Sequence, residues 1–253
     1  MKNYYKTFAI ILIATISYGT AQSQSKSKSV YVYVHGMTAG GWAYKNIDSM
    51  LTASGNIFYR PTLTGLGERA HLTSSNITLK VHILDVVNTI LYEDLHDIIL
   101  VGHSYGGMVT TGVADSIPKR IKKLIYIDAF LPEDGESVLS ITGNPIDSSA
   151  RIENGLLYPK WLPEGHDPPK GVPHPVLTFI DDIRLTNPRR LEIPSTYILT
   201  VEKNLKPEDD MFFSAAERAK KKGWTVLQLE ADHSPERTAL KELVKMLQEI
   251  VNK

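Results

Sequence analysis

Ser104 lies in Gly102-His103-Ser104-Tyr105-Gly106-Gly107, directly after the apolar stretch Asp97-Ile98-Ile99-Leu100-Val101. A serine with glycine two places to either side, between a hydrophobic strand and a helix, is the pattern of a nucleophile on a tight turn. Glycine keeps side chains off a strained backbone, and the hydroxyl is pushed out at the edge of a sheet. The backbone N–H of Tyr105, at the start of the helix, then points to where negative charge develops on a reacting carbonyl.

A serine hydroxyl attacks at neutral pH only when a base takes its proton. Among the eight histidines, His233 is the best placed, in Ala231-Asp232-His233-Ser234 between a predicted strand at 224–229 and the last helix. His35 and His103 abut the motif segments and read as packing or hydrogen-bonding residues, with His35 also a candidate for the substrate pocket. His71, His82, His96, His166 and His174 read as surface or cap residues. The base in turn needs a buried carboxylate to fix its tautomer. Asp128 interrupts the apolar run Tyr126-Ile127-Asp128-Ala129-Phe130 at the end of one strand, and Glu202 ends another. A buried carboxylate is tolerated only when paired, which favours Asp128 and leaves Glu202 as the alternative acid. Asp209 and Asp210 are set aside because the pattern places them inside a helix at 207–221. A second oxyanion donor is expected in the loop after the first strand, at the Met37 N–H, beside Ala39, Gly40 and Gly41.

The elements that position these groups follow from periodicity. Valine and tyrosine alternate over 30–34, a strand ending at His35-Gly36. A helix is expected at 42–53, a short strand at 56–59, and a glycine-bearing loop at 61–71. From Ile77 the apolar residues Val81, Leu84, Val87 and Leu91 recur at helical spacing. Strand 97–101, helix 105–116 and strand 121–127 then alternate with short joints. This order implies right-handed crossovers and a parallel sheet covered on both faces. Residues 131–191 break the pattern with many prolines, which exclude long helices and central strands. This stretch reads as a cap over the carboxyl ends of the strands, and its Trp161 and Phe179 are candidates to line a pocket. Regularity returns with a strand at 195–201, the helix at 207–221, the strand at 224–229 and a closing helix at 236–251.

Composition bounds the rest. Lys2 and Lys6 flank a polar start, residues 8–16 form an apolar run, and Gly19-Thr20-Ala21 offers small residues for cleavage. This is the layout of a secretory signal peptide over 1–21; the run is far shorter than the roughly 18 residues of a membrane span. Residues 22–29 read as a disordered leader and 30–253 as one domain carrying the cap. The expected location is periplasmic or extracellular, with no stable membrane anchor after processing. Removal of Lys2 and Lys6 leaves a formal charge of −2, which gives nucleic acid nothing to bind. The absence of cysteine excludes a disulfide framework, a thiolate nucleophile and a cysteine zinc site.

With these residues in hand, the chain resembles an α/β-hydrolase of the branch that holds small bacterial serine esterases, plant methyl esterases and hydroxynitrile lyases. The resemblance covers nearly everything from Val30 to Val251. It is carried by Val34-His35-Gly36-Met37-Thr38-Ala39-Gly40-Gly41-Trp42, by residues 60–72, by Val101-Gly102-His103-Ser104-Tyr105-Gly106-Gly107, by residues 126–135 and 184–188, and by Ala231-Asp232-His233-Ser234-Pro235. It implies a mostly parallel eight-stranded sheet with helices on both faces and a small cap insertion. It also implies a serine esterase that works through an acyl-enzyme, with no metal or organic cofactor. The substrate expected is a small-molecule hydrophobic ester, a macrocyclic lactone such as a macrolide antibiotic being one candidate.

The sequence departs from the lyases in two places. Ser234 stands where they carry a catalytic lysine, and Gly36 where they carry a threonine; both argue against cyanohydrin cleavage. The usual acid position of the family, near the end of the later strand, holds Glu202-Lys203-Asn204 and no aspartate. Asp128 instead resembles the acid of some haloalkane dehalogenases, which follows the strand after the nucleophile. A lyase-like or peptidase activity and a non-catalytic binding protein are the rival readings of the same scaffold.

Overall fold

Strands that are apolar on both faces need cover on both faces, and side-chain alternation divides the core in two. Residues 28–143, 150–162 and 165–252 are described by the computed structural model. The expected signal peptide, and the expected leader up to residue 27, lie outside the described residues. One sheet contains β1 (Val30–Val34), β2 (Ile57–Tyr59), β3 (Ile98–Ser104), β4 (Ile121–Ala129), β8 (Ser195–Val201) and β9 (Thr225–Glu230), in the order β2-β1-β3-β4-β8-β9. Every pairing in it is parallel. Among the described residues the sheet has six strands rather than the eight implied by resemblance, with β2 and β9 at its edges.

On one face Val32, Val34, Leu100, Tyr126 and Tyr197 pack with α2 (Leu79–Tyr92), α3 (Gly106–Ser116) and α6 (Phe213–Lys221). On the other, Tyr31, Tyr33, Ile99, Val101, Ile125 and Ile198 pack with α1 (Lys45–Ala53) and α8 (Leu240–Val251). The period of two along each strand builds both layers. From β1, one strand in from the edge, the described chain runs outward first to β2 and then through β3 to β9. The strand order thus reverses between β1 and β3, and a crevice opens at their carboxyl ends, where open α/β sheets bind ligands.

Two expected helices are interrupted. The 207–221 stretch is a 3-10 turn at Pro207–Asp209, an extended Asp210 and then α6. The Asp210 carboxylate accepts the Phe212 N–H at 2.7 Å, and such local side-chain bonds compete with helix. The closing helix breaks at Ala239 (φ −141°) into α7 (Pro235–Thr238) and α8, so that α7 lies by the crevice while α8 packs against α1. Among its described residues the proline-rich 131–191 stretch holds short elements: α4 (Val138–Thr142), α5 (Leu177–Ile180), a 3-10 turn at Pro188–Glu192 and an antiparallel sheet of β5 (Arg151–Glu153), β6 (Leu156–Tyr158) and β7 (His174–Pro175). Among the described residues no helix is long and apolar enough to cross a membrane.

Candidate active site

Ser104 is the last residue of β3 and has φ +55°, a conformation that strains a side-chain-bearing residue by roughly 1–3 kcal/mol. Its glycine neighbours make the turn feasible. A Cβ on Gly106 would lie 2.5 Å from the Val34 carbonyl oxygen, and one on Gly102 2.5 Å from Thr110 Oγ1.

Three side chains converge at the end of β3. His233 Nε2 lies 3.0 Å from Ser104 Oγ, and His233 Nδ1 lies 2.7 Å from Asp128 Oδ2. A carboxylate can only accept, so Nδ1 carries the proton and Nε2 is left with a lone pair facing the serine hydroxyl. Asp128 is fully buried, and its other oxygen accepts the Thr200 N–H at 3.2 Å. It reaches this position through a β-bulge. His103 pairs with Ile127 but Ser104 pairs with Ala129, so Asp128 is the extra residue, with φ +44°. A bulge re-aims a side chain next to a site in this way. Tyr197 fixes the strand just beyond, its hydroxyl accepting the Ala129 N–H at 2.9 Å and donating to the Ala129 carbonyl at 2.7 Å. Glu202, the alternative acid, is exposed, and its backbone carbonyl closes a turn to Leu205; it is not joined to His233.

Asp210 belongs to this cluster, contrary to its exclusion from sequence. It lies in the extended break before α6, with its carboxyl beside that of Asp128. Burial first, then the neighbouring Asp128 carboxylate, push its pKa up. The helical pattern of 207–221 hid the break, and the only signal for it was that Asp210 precedes Phe212 by the spacing of an Asx turn.

The loop carrying His233 is clasped from below. His103 Nε2 lies 2.7 Å from the His233 carbonyl oxygen and must donate to it, so His103 Nδ1 accepts from the Tyr44 hydroxyl at 2.8 Å. The Tyr44 oxygen accepts the Gly36 N–H at 3.4 Å. Burial lowers the His103 pKa to about 3, so this clasp is uncharged. The His233 ring also stacks on Phe212, with centroids 5.2 Å apart.

The expected oxyanion residues flank the serine. Met37 lines the same cavity as Ser104 and His233, and Tyr105 caps the N-terminus of α3. Gly36 allows the two segments to approach, since a Cβ there would sit 3.1 Å from Ser104 Cβ. The Tyr105 side chain points into the core, its hydroxyl 2.9 Å from His82 Nδ1 and its ring stacked on Phe179.

A cavity of about 1100 Å³ opens over Ser104 and His233, with Trp42, Phe130, Val138, Ile141, Phe179 and Phe212 among its walls. Trp161 and Phe179, both expected in a pocket, line it, Trp161 from an exposed position. His35 does not. It is fully buried, its Nδ1 donates to the Gly36 carbonyl at 2.7 Å, and its Nε2 accepts the Leu63 N–H at 3.0 Å. Both ring nitrogens are thus committed to holding the Met37 loop. His82 and His174, read as surface or cap residues, are also fully buried. Among the described residues no group of three or more acidic or histidine side chains is placed to hold a metal ion.

The model of the Alpha/beta hydrolase family matches residues 31–246. The carbendazim hydrolyzing esterase of Nocardioides sp. (strain SG-4G) is 51% identical over 125 residues, which are 49% of this chain and 52% of that protein. The pFDCC methylesterase MES16 of Arabidopsis thaliana is 27% identical over 238 residues, 79% of this chain and 86% of the relative. The chain thus spans about half the length of the first relative and most of the second. A solved pyrethroid hydrolase from Sphingobium faniae JZ-2 shares the fold at a TM-score of 0.70, covering 89% of this chain and 98% of its own, at 19% identity.

Proposed function

Because the chain belongs to the Alpha/beta hydrolase family, we propose that it is a serine-dependent carboxylic ester hydrolase, with Ser104 as nucleophile, His233 as general base and acid, and Asp128 as the buried carboxylate. The observation that carries this reading is the unbroken Ser104–His233–Asp128 chain of contacts at 3.0 and 2.7 Å beneath a large cavity. The esterase and methylesterase names of the two relatives support ester cleavage.

Ser104 Oγ attacks the ester carbonyl carbon while its proton passes to His233 Nε2. The Met37 and Tyr105 N–H groups receive the oxyanion, and Asp128 stabilises the imidazolium through Nδ1–H. As the tetrahedral adduct collapses, the C–O bond to the alcohol breaks and His233 protonates the leaving oxygen. A water, deprotonated by His233, then attacks the acyl-enzyme and releases the acid, and Ser104 regains its proton.

The aromatic and aliphatic walls favour a bulky hydrophobic ester, and the cavity volume suits one as large as a macrocyclic lactone. A basic, short apolar N-terminal segment supports export to the periplasm or beyond. A fluorophosphonate should add to Ser104 in the wild type and leave Ser104→Ala unmodified. The purified enzyme should turn over members of an ester panel that includes methyl esters and macrolactones. Failure to label Ser104 would favour a binding protein, and labelling with turnover confined to amide bonds would favour a peptidase.

A further inference from the structure

Thr38, next to the expected oxyanion donor Met37, has φ +58°. It is the middle residue of a three-residue turn closed by the Ala39 N–H on the Met37 carbonyl at 2.7 Å. A β-branched residue in the left-handed region is costly, and a turn closed over three residues with positive φ is rare and strained. Such a geometry persists only when its surroundings hold it.

The surroundings here come from the cap. The Thr38 N–H donates to His174 Nδ1 at 3.1 Å, and the Thr38 carbonyl accepts the Val172 N–H at 2.9 Å. Both main-chain polar groups of the strained residue are therefore bonded to one short cap segment, 136 residues away at His174. Because His174 Nδ1 accepts, its proton is on Nε2, which has no hydrogen-bond partner among the described residues. Its ring packs edge-on against Tyr105, the residue of the other oxyanion donor, with centroids 4.8 Å apart, and against Phe179 at 5.0 Å. One fully buried cap histidine thus touches both halves of the oxyanion hole.

We propose that His174 is a positioning residue that ties the seating of the cap to the shape of the oxyanion hole. With the cap in place, neutral His174 holds Thr38 in its strained turn and so aims the Met37 N–H. With the cap displaced, Thr38 loses both its partners and the turn relaxes. This proposal rests on the serine-hydrolase reading above, because it assigns Met37 and Tyr105 as oxyanion donors.

The test compares His174→Phe, which keeps an aromatic ring and loses the acceptor, with His174→Asn, whose amide oxygen can replace Nδ1. For a small ester, His174→Phe should lower kcat by about ten- to a hundredfold with KM nearly unchanged. It should lose affinity for a trifluoromethyl ketone, which forms an oxyanion on Ser104, by a similar factor. His174→Asn should recover most of both. The Thr38 amide should exchange with deuterium faster in His174→Phe than in the wild type. Equal kcat and ketone affinity in His174→Phe, with an unchanged Thr38 exchange rate, would overturn the proposal even if thermal stability fell. A wild type inert to ester and fluorophosphonate would instead refute the hydrolase reading, and the exchange rate would still decide whether His174 holds the turn.

Discussion

Asp210 presents its carboxyl group to that of Asp128, whose Oδ2 lies 2.7 Å from His233 Nδ1. Two carboxylates in contact cannot both be ionised cheaply. Burial and the neighbouring charge raise the pKa of Asp210, while Asp128 accepts from His233 Nδ1. The roles are therefore unequal and separable by mutation. Asp128→Asn should lower kcat by about 10³- to 10⁴-fold, the scale expected when the carboxylate of such a chain is lost. Asp210→Asn can donate toward Asp128 and should stay within about tenfold of the wild type. Glu202→Gln should leave kcat unchanged. Near-normal turnover in Asp128→Asn combined with collapse in Asp210→Asn would exchange the two assignments.

Gly36 should not tolerate even a methyl group. The Cβ of Gly36→Ala would sit 3.1 Å from Ser104 Cβ and 3.5 Å from its Oγ, displacing the hydroxyl from His233. A fall in kcat of up to about a hundredfold is expected, since displacements of about 1 Å at reacting atoms have effects of that size. Thermal unfolding within a few degrees of the wild type would show that the loss is local. Unaltered kcat would mean that the loop moves aside.

Tyr44 joins the first loop to the histidine loop through His103. Tyr44→Phe removes the donor to His103 Nδ1 and the acceptor for the Gly36 N–H. Leaving buried polar groups unpaired should destabilise the protein by about 1–3 kcal/mol. Because His103 also donates to the His233 carbonyl, kcat should fall as well. Urea unfolding and initial rates measured on the same preparation check both effects.

Four buried neutral histidines, His35, His82, His103 and His174, weaken the fold in acid, His174 being held well below the ordinary value by burial. Burial lowers His35 and His82 to about 4 and His103 to about 3, against an ordinary value near 6.5 in the unfolded chain. Between those values the unfolded chain binds protons that the folded one does not, so stability rises with pH. The contribution is complete above about pH 6.5 and is lost as pH falls toward 4. The slope is up to about 1.4 kcal/mol per pH unit for each histidine. Urea titrations at pH 7, 6 and 5 should show the decline, and His82→Gln should reduce the slope by about one proton. A flat profile would mean that these rings are already charged in the fold.

What was legible in the sequence was local in the chain. The serine turn is written in consecutive residues, and the alternation of strands and helices along the chain implied a parallel sheet covered on both faces. Strand-end position was enough to single out Asp128, although the bulge that turns it toward His233 is a property of β3–β4 register and leaves no mark in either strand alone. Asp210 stayed hidden because its side-chain bond to Phe212 separates a short turn from α6 within a stretch that reads as one helix. The burial of His82 and His174 was equally invisible, since their partners Tyr105 and Thr38 lie 23 and 136 residues away. The proline content of 131–191 excluded long elements but gave no period from which its short antiparallel sheet could be read.

The proposed nucleophile and acid, Ser104 and Asp128, issue from neighbouring rungs of one ladder, with the Phe130 N–H bonded to the Ser104 carbonyl just past the bulge. Their separation is inherited from the spacing of paired strands and owes nothing to the exposed connection at residues 202–206. Lengthening or nicking that connection would leave two of the three reacting partners in register, and only the imidazole, mounted on a bend of its own, would have to find its place again.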